Sequence, residues 1–152
     1  MNICIYRAKS AQAELFSDLA FRSKAHWGYS VEFMSLCKAE LTYTANEIEN
    51  NYCYFLEKGS QLAGFYILRS VNEIIFELDA LFIEPTFIGN GYGRALIDHA
   101  RKIAGKIGYK KIIIQSDPNS VDFYIAMGAA QVGSKPSVSI PGRVLPMLEI
   151  LI

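Results

Sequence analysis

The sequence predicts an α/β (α+β) chain whose central sheet is mixed and mostly antiparallel, with helices flanking it. Three observations carry that expectation. Strand-period segments at 52–57, 61–71 and 74–83 follow one another through short turns, the pattern of an antiparallel meander. The last of them runs through Pro85 and three alternating glycines, Gly89, Gly91 and Gly93, into a helical pattern at 92–106. After Gly108 comes KKIIIQS at 110–116, a buried strand that a right-handed crossover sets parallel to 74–83.

The remaining elements follow in chain order. Ile3 and Ile5 alternate with Cys4 and Tyr6, as in a short strand over 3–7. Residues 11–25 form a helix with Leu15, Phe16, Leu19 and Ala20 on one face. An aromatic cluster, His26-Trp27-Gly28-Tyr29, breaks it, and Ser30 caps a second helix bearing Phe33, Leu36, Cys37 and Leu41. Thr44 and Glu47 have capping-box spacing and start another short helix. Lys58-Gly59-Ser60 and Asn72-Glu73 are the turns of the meander. Leu96, Ala100, Ile103 and Ile107 share one face of the helix at 92–106. A short helix over 119–127 stops at Gly128, and 132–135 and 145–151 are closing strands.

Composition narrows the function classes. With 152 residues and 51% hydrophobic content, the chain is expected to form one domain over 1–152 with a substantial core. Fifteen basic residues balance fifteen acidic ones, so no electrostatic surplus points to nucleic acid or an anionic membrane. Charges appear early at the N-terminus, and no window reaches the roughly 18 apolar residues of a spanning helix. Three scattered cysteines, Cys4, Cys37 and Cys53, are expected to be reduced, buried hydrophobes of a cytoplasmic protein. His26 and His99 stand alone, so no metal site is expected. No repeat or linker divides the chain.

The glycine loop carries the chemistry. The first N–H groups of a helix lack intrahelical partners, the macrodipole adds partial positive charge, and glycine admits an anion to the main chain. A pyrophosphate is therefore expected on residues 89–95: Gly89, Asn90, Gly91, Tyr92, Gly93, Arg94 and Ala95. A P-loop requires Lys and Ser or Thr after its last glycine, and Arg94-Ala95 stands there instead. A dinucleotide-binding fingerprint would use Asp117 at the end of the next strand. The spacing, however, is G-x-G-x-G, and an antiparallel meander precedes it.

Ile88-Gly89-Asn90-Gly91-Tyr92-Gly93 resembles the Q/R-x-x-G-x-G/A loop of the GNAT superfamily of acyl-CoA N-acyltransferases, with Ile88 in the usual Gln/Arg position. Asn119, Phe123-Tyr124 and Gly128 resemble that family's N-x-x-x-FY-x-x-x-G pattern, with Ala129 where Phe is common. The resemblance covers nearly the whole chain. It implies acetyl-CoA as cofactor, acetyl transfer to an amine by direct attack, and a parallel strand pair that splays apart. It assigns the main chain of Leu81, Phe82 and Ile83 to the pantetheine and the acyl carbonyl, with Asn119, Phe123 and Tyr124 beside the same arm. Tyr124 becomes the acid for the departing thiolate.

Glu77 and Asp79 share one strand face by period two and are the candidate bases, Glu77 lying where some family members place such a carboxylate. The family's acceptor walls correspond to Arg22, His26, Trp27, Tyr29 and Arg143. The aromatic pair suits a flat or cationic acceptor and the arginines suit a carboxylate. A small-molecule amine is the expected acceptor. The alternative is an acyl-CoA-binding regulatory module without turnover. The terminal strand 145–151 is a candidate exposed edge for pairing across a homodimer.

Overall fold

The computed structural model describes residues 2–152. Its strands are β1 (Ile3–Arg7), β2 (Tyr52–Lys58), β3 (Gln61–Ser70), β4 (Ile75–Ile83), β5 (Lys111–Gln115), β6 (Ala130–Pro136) and β7 (Val144–Leu151). Its helices are α1 (Ala13–Ala25), α2 (Val31–Cys37), α3 (Ala45–Asn50), α4 (Tyr92–Ile107) and α5 (Val121–Ala126). The sheet order is β1-β2-β3-β4-β5-β7-β6. Neighbours are antiparallel except β4 and β5, which run parallel on either side of α4.

Strand β3 is the spine, with Ala63 through Leu68 buried. A strand covered on both faces reads as an unbroken apolar run. Tyr66 and Leu68 join the core beneath α4, whereas Phe65 and Ile67 join the core built by α1, α2 and α3. Phe16 of α1 stacks on Phe65 at 4.3 Å between ring centroids. Gly64 is needed where β3, β4 and α4 crowd together. A Cβ there would lie 2.7 Å from Ile83 Cδ1, 2.9 Å from the Phe82 carbonyl oxygen and 3.1 Å from Leu96 Cδ1.

Several sequence expectations shift in detail. Leu15 and Leu36 are exposed; α1 buries Ala13, Phe16, Leu19 and Ala20, and α2 buries Met34 and Cys37. Leu41 lies beyond the end of α2, although it is buried. On α4 the buried stripe is Leu96, Ile97, Ala100 and Ala104, and Ile107 is exposed. Cys37 and Cys53 are buried but Cys4 is exposed. The strand at 145–151 is not an edge. As part of β7 it is hydrogen-bonded to β5 on one side and β6 on the other, and β6 forms the sheet margin. Among the described residues, no helix is long and apolar enough to cross a membrane.

Candidate active site

The site begins where the parallel pair parts. β4 and β5 are in register only at Ile75–Lys111, Phe76–Ile112 and Glu77–Ile113. Beyond Glu77, β4 stays on β3 as far as Ile83, while β5 stays on β7 through Gln115. The register of β4 against β3 slips at the same place. Ile67 faces Ala80 and Leu68 faces Leu78, so Asp79 is an extra residue with no opposite number. Such a bulge bends a strand and increases its twist. It also changes the phase of the strand: Phe76 and Leu78 pack toward α4, whereas Ala80 and Phe82 pack toward α1.

The main chain beyond the bulge can be assigned by alternation. The Glu84 N–H donates to the Ala63 carbonyl at 2.8 Å, so Phe82, two residues back, also directs its N–H and C=O at β3. Leu81 and Ile83 then direct theirs into the gap, where no strand meets them. Of the three residues whose main chain was expected there, Leu81 and Ile83 face the gap. The main chain of Phe82 belongs to the sheet, and its side chain lines the cleft.

The gap opens into a cleft of about 610 Å³ that also reaches the glycine loop. Gly89 and Gly91 take the left-handed conformation, with φ of 90° and 80°, and Gly91 is the N-cap of α4. No side chain caps this terminus and its first turn holds no acidic residue. Its leading N–H groups remain available to an anion, and Arg94 lines the cleft beside them. Gly93 packs against Phe123, whose ring carbons would be 3.2 Å from an added Cβ. The Asn90 side chain is engaged in the loop, donating to the Phe87 carbonyl at 2.8 Å. Tyr92 is buried and Ala95 half-buried against the α4 core, and the Ala95 N–H donates to the Gly91 carbonyl at 3.1 Å, so Ala95 offers no free donor.

Tyr124 is buried, lines the cleft, and burial holds its phenol pKa well above the usual range. Its hydroxyl finds no hydrogen-bond partner among the described residues, and Phe123 meets its ring edge-on at 5.1 Å. Both candidate carboxylates line the same cleft. Glu77 lies opposite Arg69 and is ion-paired with it. Asp79 takes part in no ion pair among the described residues. Solvent reaches Asp79 through the cleft, yet surrounding protein still raises its carboxyl pKa by desolvation. Arg69 partly offsets this, and Glu77 and Glu47 add to it.

The residues expected at the acceptor wall separate into three groups. Trp27 lines the cleft, half exposed. Arg22 is held away by Glu84, its Nε 3.1 and 3.2 Å from the two carboxylate oxygens, and His26 is exposed outside the cleft. Tyr29 and Arg143 do not line the cleft; they lie behind it, in a network centred on Asp117, which does line it. The Tyr29 hydroxyl donates to the Asp117 carboxylate at 2.9 Å and accepts from Asn119 Nδ2 at 2.9 Å and Arg143 Nη2 at 2.8 Å. The Asn119 N–H donates to Asp117 Oδ1 at 2.9 Å, which engages Asn119 at the end of β5. Burial alone would raise the Asp117 pKa. The donors from Asn119 and Tyr29, with the nearby Lys24 charge, outweigh it and hold the carboxyl below its ordinary range.

Sequence reasoning missed Lys24, Glu40, Leu41, Tyr43, Val138 and Leu145, which also line the cleft. Nothing local marks them, because α1, the stretch before α3 and the β6–β7 loop meet only in the folded chain. The arrangement has the parts acyl transfer requires: free main-chain donors, a basic helix terminus, an unpaired carboxylate and a protonated phenol in one cleft.

Residues 16–129 match the model of the acetyltransferase (GNAT) family. Over 88 residues, 58% of this chain, the sequence is 31% identical to the peptidyl-lysine N-acetyltransferase YjaB of Salmonella typhimurium; the match spans 55% of that protein, about half its length. The fold is similar to that of the PaiA N-acetyltransferase from Thermoplasma acidophilum in complex with coenzyme A, with a TM-score of 0.78, 22% identity and full coverage of both chains. It is also similar to a GCN5-related N-acetyltransferase from Rhodopseudomonas palustris, with a TM-score of 0.81 and 17% identity over 100% of this chain and 97% of that one. At these identities the structural likenesses establish the fold.

Proposed function

Because the chain belongs to the GNAT acetyltransferase family, we propose that it transfers an acetyl group from acetyl-CoA to the amine of a small molecule, by direct attack, within one domain spanning 1–152. The observation that carries this reading is the opening of the β4–β5 pair beyond Glu77 into the cleft that holds the uncapped N-terminus of α4. One end offers donors to a diphosphate and the other an unzipped strand edge for an amide-bearing arm. The solved relative with bound coenzyme A supports the same cofactor.

Bound acetyl-CoA supplies an activated thioester. The Ala95 N–H closes the first turn onto the Gly91 carbonyl, so the N–H groups of Gly93 and Arg94, the Arg94 guanidinium and the glycine-lined loop hold the diphosphate. Leu81 and Ile83 offer main-chain donors to the pantetheine amides and to the carbonyl oxygen that gains negative charge. Asp79, with no cation of its own, accepts the proton of the attacking amine, directly or through water. An amine of pKa about 10 must lose one to react. Glu77 is the weaker candidate because Arg69 stabilises its charged form and competes for its oxygens. Tyr124 keeps its proton at every relevant pH and presents it to the departing sulfur.

Titration calorimetry with acetyl-CoA, followed by thiol release in the presence of amines, tests the proposal. Binding together with amine-dependent thiol release supports it. Binding without release against any amine would favour the regulatory-module alternative, and absence of binding would overturn both.

A further inference from the structure

The charges that line the cleft opposite the glycine loop, Lys24, Glu40, Glu77, Asp79 and Asp117, can be sorted by their partners in and behind the lining. Lys24, mostly buried, lies 3.5 Å from Glu40 and 3.9 Å from Asp117. Arg143 lies 3.4 Å from Asp117 and covers the stacked rings of Tyr29 and Phe33, 5.2 and 4.8 Å from their centroids. Two cations therefore face two carboxylates, and neither cation is free. Arg22 is neutralised by Glu84 and Glu77 by Arg69. What remains of these charges without an ion-pair partner among the described residues is Asp79. It sits on the bulge of β4 and lines the cleft together with Trp27, Leu41 and Tyr43. Arg94, which makes no ion pair among the described residues, lines the cleft beside the α4 terminus.

Apolar and aromatic side chains line the cleft beside these charges: Trp27, Leu41 and Tyr43, with Val138 and Leu145 from the β6–β7 side, among polar residues such as Ser23 and Gln115. Val138 is 93% exposed, so its apolar surface faces solvent, uncovered by any of the described residues. The loop that carries it is tied down at two points, by Ser139 Oγ donating to Glu40 at 2.8 Å and by Arg143 reaching Tyr29. The tethers hold Val138 at a cleft that Trp27 also lines.

Resting on the acetyltransfer reading, we infer that the acceptor is a primary amine on an uncharged apolar or aromatic body, an arylalkylamine in chemical class, and that amines bearing a carboxylate are rejected. The ammonium is drawn to Asp79 before it gives up its proton, and the ring packs against Trp27 and Val138. A carboxylate would enter a pocket whose cations are already engaged and whose free charge is negative, which is discrimination by repulsion.

The test compares kcat/KM for tryptamine with tryptophan, and for phenethylamine with phenylalanine, by thiol release from acetyl-CoA. A lysine-containing peptide is the third arm. Each amine should exceed its carboxylated analogue by about 100-fold or more, and the peptide should fall below both amines. Val138→Arg places a free cation at an exposed position. It should narrow the tryptamine-to-tryptophan ratio by about tenfold while the acetyl-CoA Kd stays within about twofold. Equal rates for amine and amino acid, or preference for the peptide, overturn the inference and leave acetyl transfer standing. Failure to bind acetyl-CoA takes down the underlying reading as well.

Discussion

Glu77 and Arg69 face each other across the β3–β4 ladder as an ion pair, and Asp79, two residues on, occupies the bulge with no partner opposite. Strand periodicity places both carboxylates on one face and treats them alike, but the bulge and the arginine separate their chemistry. Asp79→Asn should lower kcat/KM by about 10²-fold and remove the ionisation that governs its rise with pH. Glu77→Gln should lower it by less than about tenfold with the profile retained. Profiles of the two variants measured with one amine decide. Loss confined to Glu77→Gln would return the base role to Glu77.

Asp79 also links pH to stability. Its folded pKa is raised, chiefly by desolvation, above an unfolded value of about 3.9. As pH rises through this window the unfolded chain releases the proton first, so stability falls. The favourable contribution is complete below about pH 3.9 and is lost as pH passes the folded value. Asp79→Asn should therefore raise Tm at pH 7, with the gain over wild type vanishing near pH 4. A Tm at pH 7 below wild type would contradict this account.

Asp117 has the opposite sign. Hydrogen bonds from Asn119 and Tyr29 overcome burial and depress its pKa, so its contribution is present above about pH 3.9 and disappears as pH falls through the folded value. Asp117→Asn should lower Tm at pH 7, and the deficit should shrink as the pH falls below about 4. Melting curves across that range check both the sign and the window.

The contrast between these two aspartates illustrates what was legible in the chain. The capping box of Thr44 and Glu47 is a local pattern, and it forms: the Glu47 N–H donates to Thr44 Oγ1 and the Thr44 N–H to Glu47 Oε1. Gly91 and Gly108 bound α4, each in a left-handed conformation that glycine adopts without strain, again a local pattern. The parallel β4–β5 pair followed from the crossover. The bulge at Asp79 has no glycine or proline to announce it, because it arises from the register with β3 rather than from β4 itself. The pairs Arg22–Glu84 and Arg143–Asp117 join residues 62 and 26 positions apart, so Arg22 and Arg143 could be read from sequence only as available cations. Placing β7 at the sheet edge failed for the same reason: the order of two short closing strands depends on partners that neither segment encodes.

Gly64 is a position that no motif singled out and that the packing makes sensitive. Its Cβ direction meets the Phe82 carbonyl, which is backbone and cannot swing aside, as well as Ile83 and Leu96. Gly64→Ala should cost about 1–3 kcal/mol by overpacking. The strain falls on Phe82 and Ile83, beside the open strand edge, so the KM for acetyl-CoA should rise in the protein that remains folded. Chemical denaturation together with acetyl-CoA titration measures both effects. A variant as stable as wild type would show that β4 yields more freely than a sheet strand should.

Tyr124→Phe isolates the last proton transfer. Burial raises the phenol pKa, so the hydroxyl is protonated throughout the working range and stands ready as a donor in the cleft. The ring itself packs on Phe123, and phenylalanine would keep that contact. Removing only the oxygen should leave the acetyl-CoA Kd within about twofold while lowering kcat by about 10²-fold, in line with general acid catalysis. The defect should lessen with a thioester whose thiol has a lower pKa, because such a sulfur leaves with less need for a proton. Full activity in Tyr124→Phe would remove the residue from the chemistry, and an equal loss with every leaving group would reduce it to a packing role.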